Sequence, residues 1–433
     1  MRLRMVTVAA TAALALLATA GPAFAGTGSA APPGPAARVV PLTLPHVDRP
    51  TSIRAASVSP HATSDCGSVR ARLHDYAARG QRAVACVSTV PATADQRSAA
   101  RLAPGAVPHS ADFCSTIDNG DWALNRTEAC SQGHNIYESI IDPETGEIVG
   151  TATLSVAQDI LLQTSSGLFT ENDTIVWLTA TGVATAARTL TFTGSCSDNC
   201  SATVGTRTAP IALGQTVSAA FVYDDEPGTR VETTGITNTF FWTVPPGVIP
   251  EGRVSWSGPG TIRCDGQLAN QNAGCVFPEF SPVLRLSLSI QGAGAANVAV
   301  GESFLPDGFG SAQPLHREAD DDTVTSNRNA ICNDGTFFPT TFVSNDSCDE
   351  YAFASSQESG ASFGLTGLSC AEAVPFQANG QWVVQFFSYV GNERCLRGHV
   401  PLDQNQAVGS VLGTLVRTDR ILDGDGYYVS IAP

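Results

Sequence analysis

Hydrophobic and polar positions alternate in short runs through the middle of this chain. ATLSVAQDILLQT, TIVWLTATGV, RTLTFTGSC, TVSAAFVYD, NTFFWTVPP, GRVSWSGPG and VLRLSLSI are rich in β-branched and aromatic residues and are broken by Gly, Asn, Asp and Pro. A period of two puts one face of a segment in a core and the other in solvent, so about seven strands are expected between Asp112 and Ile290. Strands of this length and spacing predict an antiparallel sandwich. Trp177, Phe241, Trp242 and Trp256 are expected in its core or at its edges, in preference to an aromatic platform for carbohydrate.

The texture changes at about Ala295. WVVQFFSYV (Trp382 to Val390) is apolar enough for a buried strand, and GYYVSI supplies another at the C-terminus. Between them Val408, Val411, Leu412 and Leu415 fall at helical spacing. An α+β domain preceded by a mainly antiparallel β domain follows. Residues 26 to about 60 are Ala, Pro, Gly and Thr, too poor in large apolar residues to build a core. SVRARLHDYAARGQRAVAC predicts a short helix tied by a Cys66–Cys86 disulfide, and 91–110 return to low complexity. The expected organisation is a signal peptide at 1–25, a leader with a small disulfide-tied segment at 26–110, a β-rich domain at 111–294 and the α+β domain at 295–433.

The first residues set the compartment. Arg2 and Arg4 precede the apolar run VTVAATAALALLATA, which ends at Ala23-Phe24-Ala25, a small-x-small cleavage site. No later stretch reaches the eighteen or so apolar residues of a membrane span. A secreted protein without stable membrane association is expected, with cell-wall or matrix contact through the leader. Cys66, Cys86, Cys114, Cys130, Cys196, Cys200, Cys264, Cys275, Cys332, Cys348, Cys370 and Cys395 all follow the expected signal peptide, and an even count in an exported chain reads as disulfides. Their order falls into six neighbouring pairs, although sequence leaves the connectivity open. Cys196-x-x-x-Cys200 lacks the second ligand pair a zinc site needs.

Charge narrows the function. All 24 basic residues are Arg, and the formal net charge is −16. Such a balance excludes attachment to DNA through a broad basic surface, since phosphate neutralisation dominates that kind of affinity. No Gly-x-Ser-x-Gly elbow, P-loop or glycine-rich dinucleotide fingerprint is present.

What stands out is CDEYAFASSQESG, which places Asp349, Glu350 and Glu358 within eleven residues of Cys348. With Asp403 and Asn405 these offer the carboxylate and carbonyl oxygen that hard divalent cations take. Such an ion lowers the pKa of bound water, and a nearby carboxylate can accept the proton. The plainer reading is that these acids cap helices and face water. His316 and His399 read as loop or surface residues, and Asp320, Asp321 and Asp322 as a solvated run. DGDG at 423–426 lacks the later ligands of an EF-hand and reads as a turn before the last strand.

Three separated segments resemble one family in the same order. CDEYAFASSQE at 348–358, QNQAVGSVLG at 404–413 and RILDGD at 420–425 are similar to the NucA/NucB-type secreted deoxyribonucleases in their long actinobacterial form. GCVFPEFSPVL (Gly274 to Leu284) and SNRNAIC (Ser326 to Cys332) resemble elements ahead of the nuclease core. The resemblance covers about the last 160 residues and is looser over the β-rich middle. It implies a monomeric, metal-dependent endonuclease that cleaves DNA with little sequence preference, using Mg, Mn or Ca. Asp349 would be general base or metal ligand, Glu350 the adjacent acid, and Glu358 would orient metal-bound water. Asn405 would give its amide oxygen to the ion, and Arg328 and Arg420 would neutralise phosphate. Two positions depart from the family pattern: Ala352 replaces a proline, and Gln404 stands where an aspartate is expected, with Asp403 the candidate substitute. The alternatives are a non-catalytic secreted binding or adhesion protein with a degenerate nuclease-like domain, and a wall-polysaccharide hydrolase with two carboxylates.

Overall fold

Long alternating segments build the largest sheet of the molecule, seen in a computed structural model. The structure describes residues 38–44, 49–55, 61–62, 66–104, 113–114, 121–250 and 253–433. The expected signal peptide and the leader up to residue 37 lie outside them. Glu128–Ile141, Ile148–Leu161 and Leu168–Gly182 pair antiparallel at the centre of a nine-stranded sheet. A five-stranded sheet containing Arg188–Cys196 and Ile236–Trp242 packs on it. Trp177 of the first sheet meets Trp242 of the second at 5.1 Å between ring centroids, and Phe221 meets Phe192 at 5.3 Å. Face-to-face packing of two antiparallel sheets is the expected sandwich.

Alternation decides which aromatics enter the core. Trp177, Trp242 and Trp256 are buried, whereas Phe241 is 41% exposed because it follows the opposite side of the strand from Trp242. The core also holds charge. Glu138 pairs with Arg188 at 2.6 Å and accepts from the Trp242 indole. Glu171 accepts from Gln158, Asn238 and Tyr223.

Among the described residues, six α-helices punctuate the chain. α1 (Cys66–Ala71) and α2 (Leu73–Ala78) form the expected helical segment, and α3 (Ala94–Leu102) lies where low complexity was expected. Thr93 and Gln96 cap α3 reciprocally, so T-x-x-Q was the signal for it. α4 (Leu288–Phe304) and α6 (Leu402–Thr418) cover the C-terminal sheet, and α5 (Asp321–Cys332) packs beside them. α4 is rich in Gly and Ala, which lets α6 approach closely. A Cβ at Gly294 would come within 2.6 Å of the Gln404 carbonyl oxygen.

Two expectations about the domain edge change. Val283–Ser287, read as the seventh strand of the sandwich, pairs in parallel with the last strand, Gly426–Ala432. α4 then runs through residue 294, so the core of the C-terminal part begins before the expected boundary. The leader contributes as well. Arg38–Pro41 pairs antiparallel with Gln381–Ser388 as the edge of a five-stranded sheet, and Leu42 and Leu44 join that core.

All twelve cysteines pair, each with its neighbour in sequence: Cys66–Cys86, Cys114–Cys130, Cys196–Cys200, Cys264–Cys275, Cys332–Cys348 and Cys370–Cys395. This usage belongs to an oxidising compartment. Among the described residues no helix is long and apolar enough to cross a membrane. Arg38–Pro433 forms one compact unit.

Candidate catalytic site in the C-terminal part

The acidic motif folds as an edge strand, Asp346–Tyr351, paired only with Leu396–Pro401. Successive side chains of a strand leave on opposite faces. Asp349 therefore turns toward α4 and Glu350 toward α5, so the two acids are neighbours in sequence without converging on one point.

Asp349 is 7% exposed, and its Oδ2 accepts from Nδ2 of Asn297 on α4 at 3.1 Å. Asn297 is itself fully buried above Gly398, the cross-strand partner of Asp349. Gly398 is required there, since a Cβ would overlap the Asn297 amide. Burial, and then the charge of Glu350, push the Asp349 carboxyl up to about 8, with Asn297 acting in the opposite sense. Burial likewise raises Glu350 to about 7, opposed by Arg328 and by backbone N–H groups. Arg328 Nε lies 3.7 Å from Glu350 Oε1, and its side chain is 56% exposed. Glu350 Oε2 also lies 3.0 Å from Cys332 Sγ, half of the disulfide that fastens the end of α5 to the acidic strand.

Glu358 does not join this pair. It is 9% exposed, and both oxygens are spent on His316: Oε2 accepts the backbone N–H at 2.8 Å, and Oε1 lies 2.7 Å from Nδ1. Asn405 reaches the acidic strand from the first turn of α6, with Nδ2 donating to Cys348 O at 2.9 Å and Ser347 Oγ at 3.3 Å. Asp403 is exposed and makes none of these contacts. Gln404 instead braces the two helices, its Oε1 accepting from Ala293 N–H at 2.5 Å.

Arg420 is corrected outright. It is fully buried, paired with Asp265 at 2.5 Å and donating to the carbonyls of Thr164 and Asn272, so no phosphate can reach it. Arg126 and Arg263 of the β-rich part reciprocate by binding Asp425 and the Arg420 carbonyl. RILDGD thus holds the two parts of the molecule together, with DGDG as its turn. His399 is also not a surface residue. At 1% exposure it lies between Asp346 at 2.7 Å and Glu372 at 3.0 Å, stacked on Phe337. Burial opposes its charge, but hydrogen bonds to Glu372 and Asp346 prevail and hold its pKa above the usual histidine range. Asp320 caps α5 by accepting from Thr323 N–H at 2.7 Å, which places the aspartate run at a helix N-terminus.

A cation finds only part of the expected ligand set. Among the described residues, Cys332 and Cys348 cluster with Glu350, and Cys114 and Cys130 with Asp159, but each sulfur pair is a disulfide with no thiolate to give. Of the expected oxygen ligands, Asp349 is tied to α4 through Asn297, and Asn405 is tied to the acidic strand through the Cys348 carbonyl. Sequence reasoning missed Asn297, although a lone amide inside AGAANVAVG marks a buried polar contact. No protein-family model matches the chain, and no curated protein matches it.

Proposed function

We propose that this is a secreted phosphodiesterase that cleaves DNA with little sequence preference through the Asp349–Glu350 strand. The observation that carries the reading is a pair of buried acids, adjacent on an edge strand, with the half-exposed Arg328 guanidinium 3.7 Å from Glu350. Arg328 offers the charge that meets a phosphate oxygen. Asp349 and Asn405 would hold a divalent cation, which when bound polarises the phosphoryl group and acidifies water. From residue 301 onward six Arg stand against seventeen Asp and Glu, a balance of −11, so weak and salt-sensitive contact with DNA follows.

One observation favours a second reading. Gln404 serves as a helix brace and Asp403 faces solvent, which fits a secreted binding protein whose nuclease site has lost an acid. Nicking of supercoiled plasmid by the oxidised protein with Mg, Mn or Ca, and again with chelator, separates the two. Cleavage that chelator stops supports the nuclease; intact plasmid under every metal supports the binding protein.

A further inference from the structure

Resting on the nuclease reading, we propose that His316 is the residue that carries the proton during phosphodiester cleavage, held for that task by Glu358. The two histidines of the C-terminal part both sit against carboxylates. Only one keeps a nitrogen free.

Glu358 grips His316 at its main chain and at its ring, 2.8 Å and 2.7 Å away. A carboxylate only accepts, so Nδ1 is the donor in this contact and Nε2 is the ring nitrogen left to meet a reactant. The backbone is fixed as well: His316 pairs with Gly426 at the start of the last strand, and its carbonyl accepts from Gln357 N–H at 2.8 Å. Gly426 sets no side chain over the ring, where a Cβ would come 3.6 Å from Cδ2. The Glu358 side chain is 11% exposed and that of His316 is 40% exposed, so the carboxylate is covered while the imidazole reaches solvent. No hydrogen bond occupies Nε2 among the described residues. His399 has none of this freedom, since Asp346 and Glu372 take both its nitrogens and its side chain is 1% exposed.

The step is a hydrolysis and balances without a further reactant. A water oxygen forms the new bond to phosphorus while its proton passes to Nε2. The bond from phosphorus to the leaving sugar oxygen breaks, and that oxygen takes a proton from solvent. The imidazolium, stabilised by Glu358, then returns its proton to bulk water.

The test compares initial rates on a fluorogenic DNA duplex for the full chain, His316→Asn and His316→Ala, each with and without added imidazole. Asn keeps a donor where Nδ1 stands and removes Nε2. The proposal expects kcat to fall by roughly 10²–10⁴-fold in both variants, with KM within about threefold, and imidazole to restore part of the His316→Ala rate. A wild-type protein that leaves the duplex intact overturns the nuclease reading and this inference with it. Cleavage by His316→Asn within about threefold of wild type overturns the inference alone. So does a kcat loss that imidazole does not relieve in a His316→Ala protein with an unchanged melting temperature, since His316 would then only position other groups.

Discussion

Glu171 in the sandwich and Asp349 in the C-terminal part are both carboxyls that burial pushes far up, to about 7 and about 8. Their surroundings differ in what is left over. Glu171 is fully buried between two sheets and receives hydrogen bonds from Gln158, Asn238 and Tyr223, which use its oxygens against groups that must be satisfied in a dry core. Asp349 stands on an edge strand, receives one side-chain donor on one oxygen, and lies next to an acid that touches a half-exposed arginine. A raised pKa therefore does not distinguish a site from a polar core.

The strongest way to break that comparison is to unseat the two regions from each other. Arg420→Ala leaves Asp265, which is fully buried, without its closest partner. A loss of about 3–5 kcal/mol in urea-unfolding free energy is expected for stranding such a charge. An unchanged urea midpoint would show that RILDGD is not the clamp between them.

Next in size is the Cys332–Cys348 bridge, which ties α5 to the acidic strand. Replacing both cysteines with alanine should cost about 2–4 kcal/mol and lower nuclease activity, because Arg328 loses its register with Glu350. Loss of the Cys196–Cys200 bridge, which closes a short loop in the sandwich, should leave activity intact.

Acid titration sharpens the comparison further. Glu171 and Glu350 both have folded pKa values of about 7, above their ordinary value of 4.5. The stability that each contributes is full below its ordinary value and is lost as pH rises through about 7. Glu171→Gln and Glu350→Gln should each flatten the decline in stability between about pH 5 and pH 8, followed by melting temperature. Only Glu350→Gln should slow plasmid nicking. The smallest effect belongs to Asp403→Ala, which should change stability by less than about 0.5 kcal/mol and leave the nicking rate where it was. A large rate loss there would return Asp403 to the site.

Much of this architecture was legible because it rests on local periodicity. The central strands and the helix with Val408 and Leu412 on its buried side follow from pattern and spacing, whereas the disulfide connectivity, left open by sequence, is seen only in the fold. α4 was not legible. Its glycines argue against a helix, and it is stable because burial against α6 and the sheet outweighs weak propensity. The site divides along the same line. Asp349 and Glu350 could be read from their local motif, but strand alternation sends them to opposite faces and the fold hands Glu358 to His316 across forty-two residues. Arg420 was misread because a conspicuous cation looks the same in sequence whether it meets phosphate or a buried aspartate.

The central claim is that the Asp349 carboxyl on its edge strand takes part in chemistry while Glu171, matched by donors between the two sheets, only holds the core. Plasmid nicking and thermal melting of Asp349→Asn and Glu171→Gln, measured side by side with the parent, test it directly. The prediction is a rate loss of roughly 10²-fold or more for Asp349→Asn with the fold intact, and a rate within about twofold of the parent for Glu171→Gln. A folded Asp349→Asn protein that nicks plasmid as fast as the parent would contradict the claim.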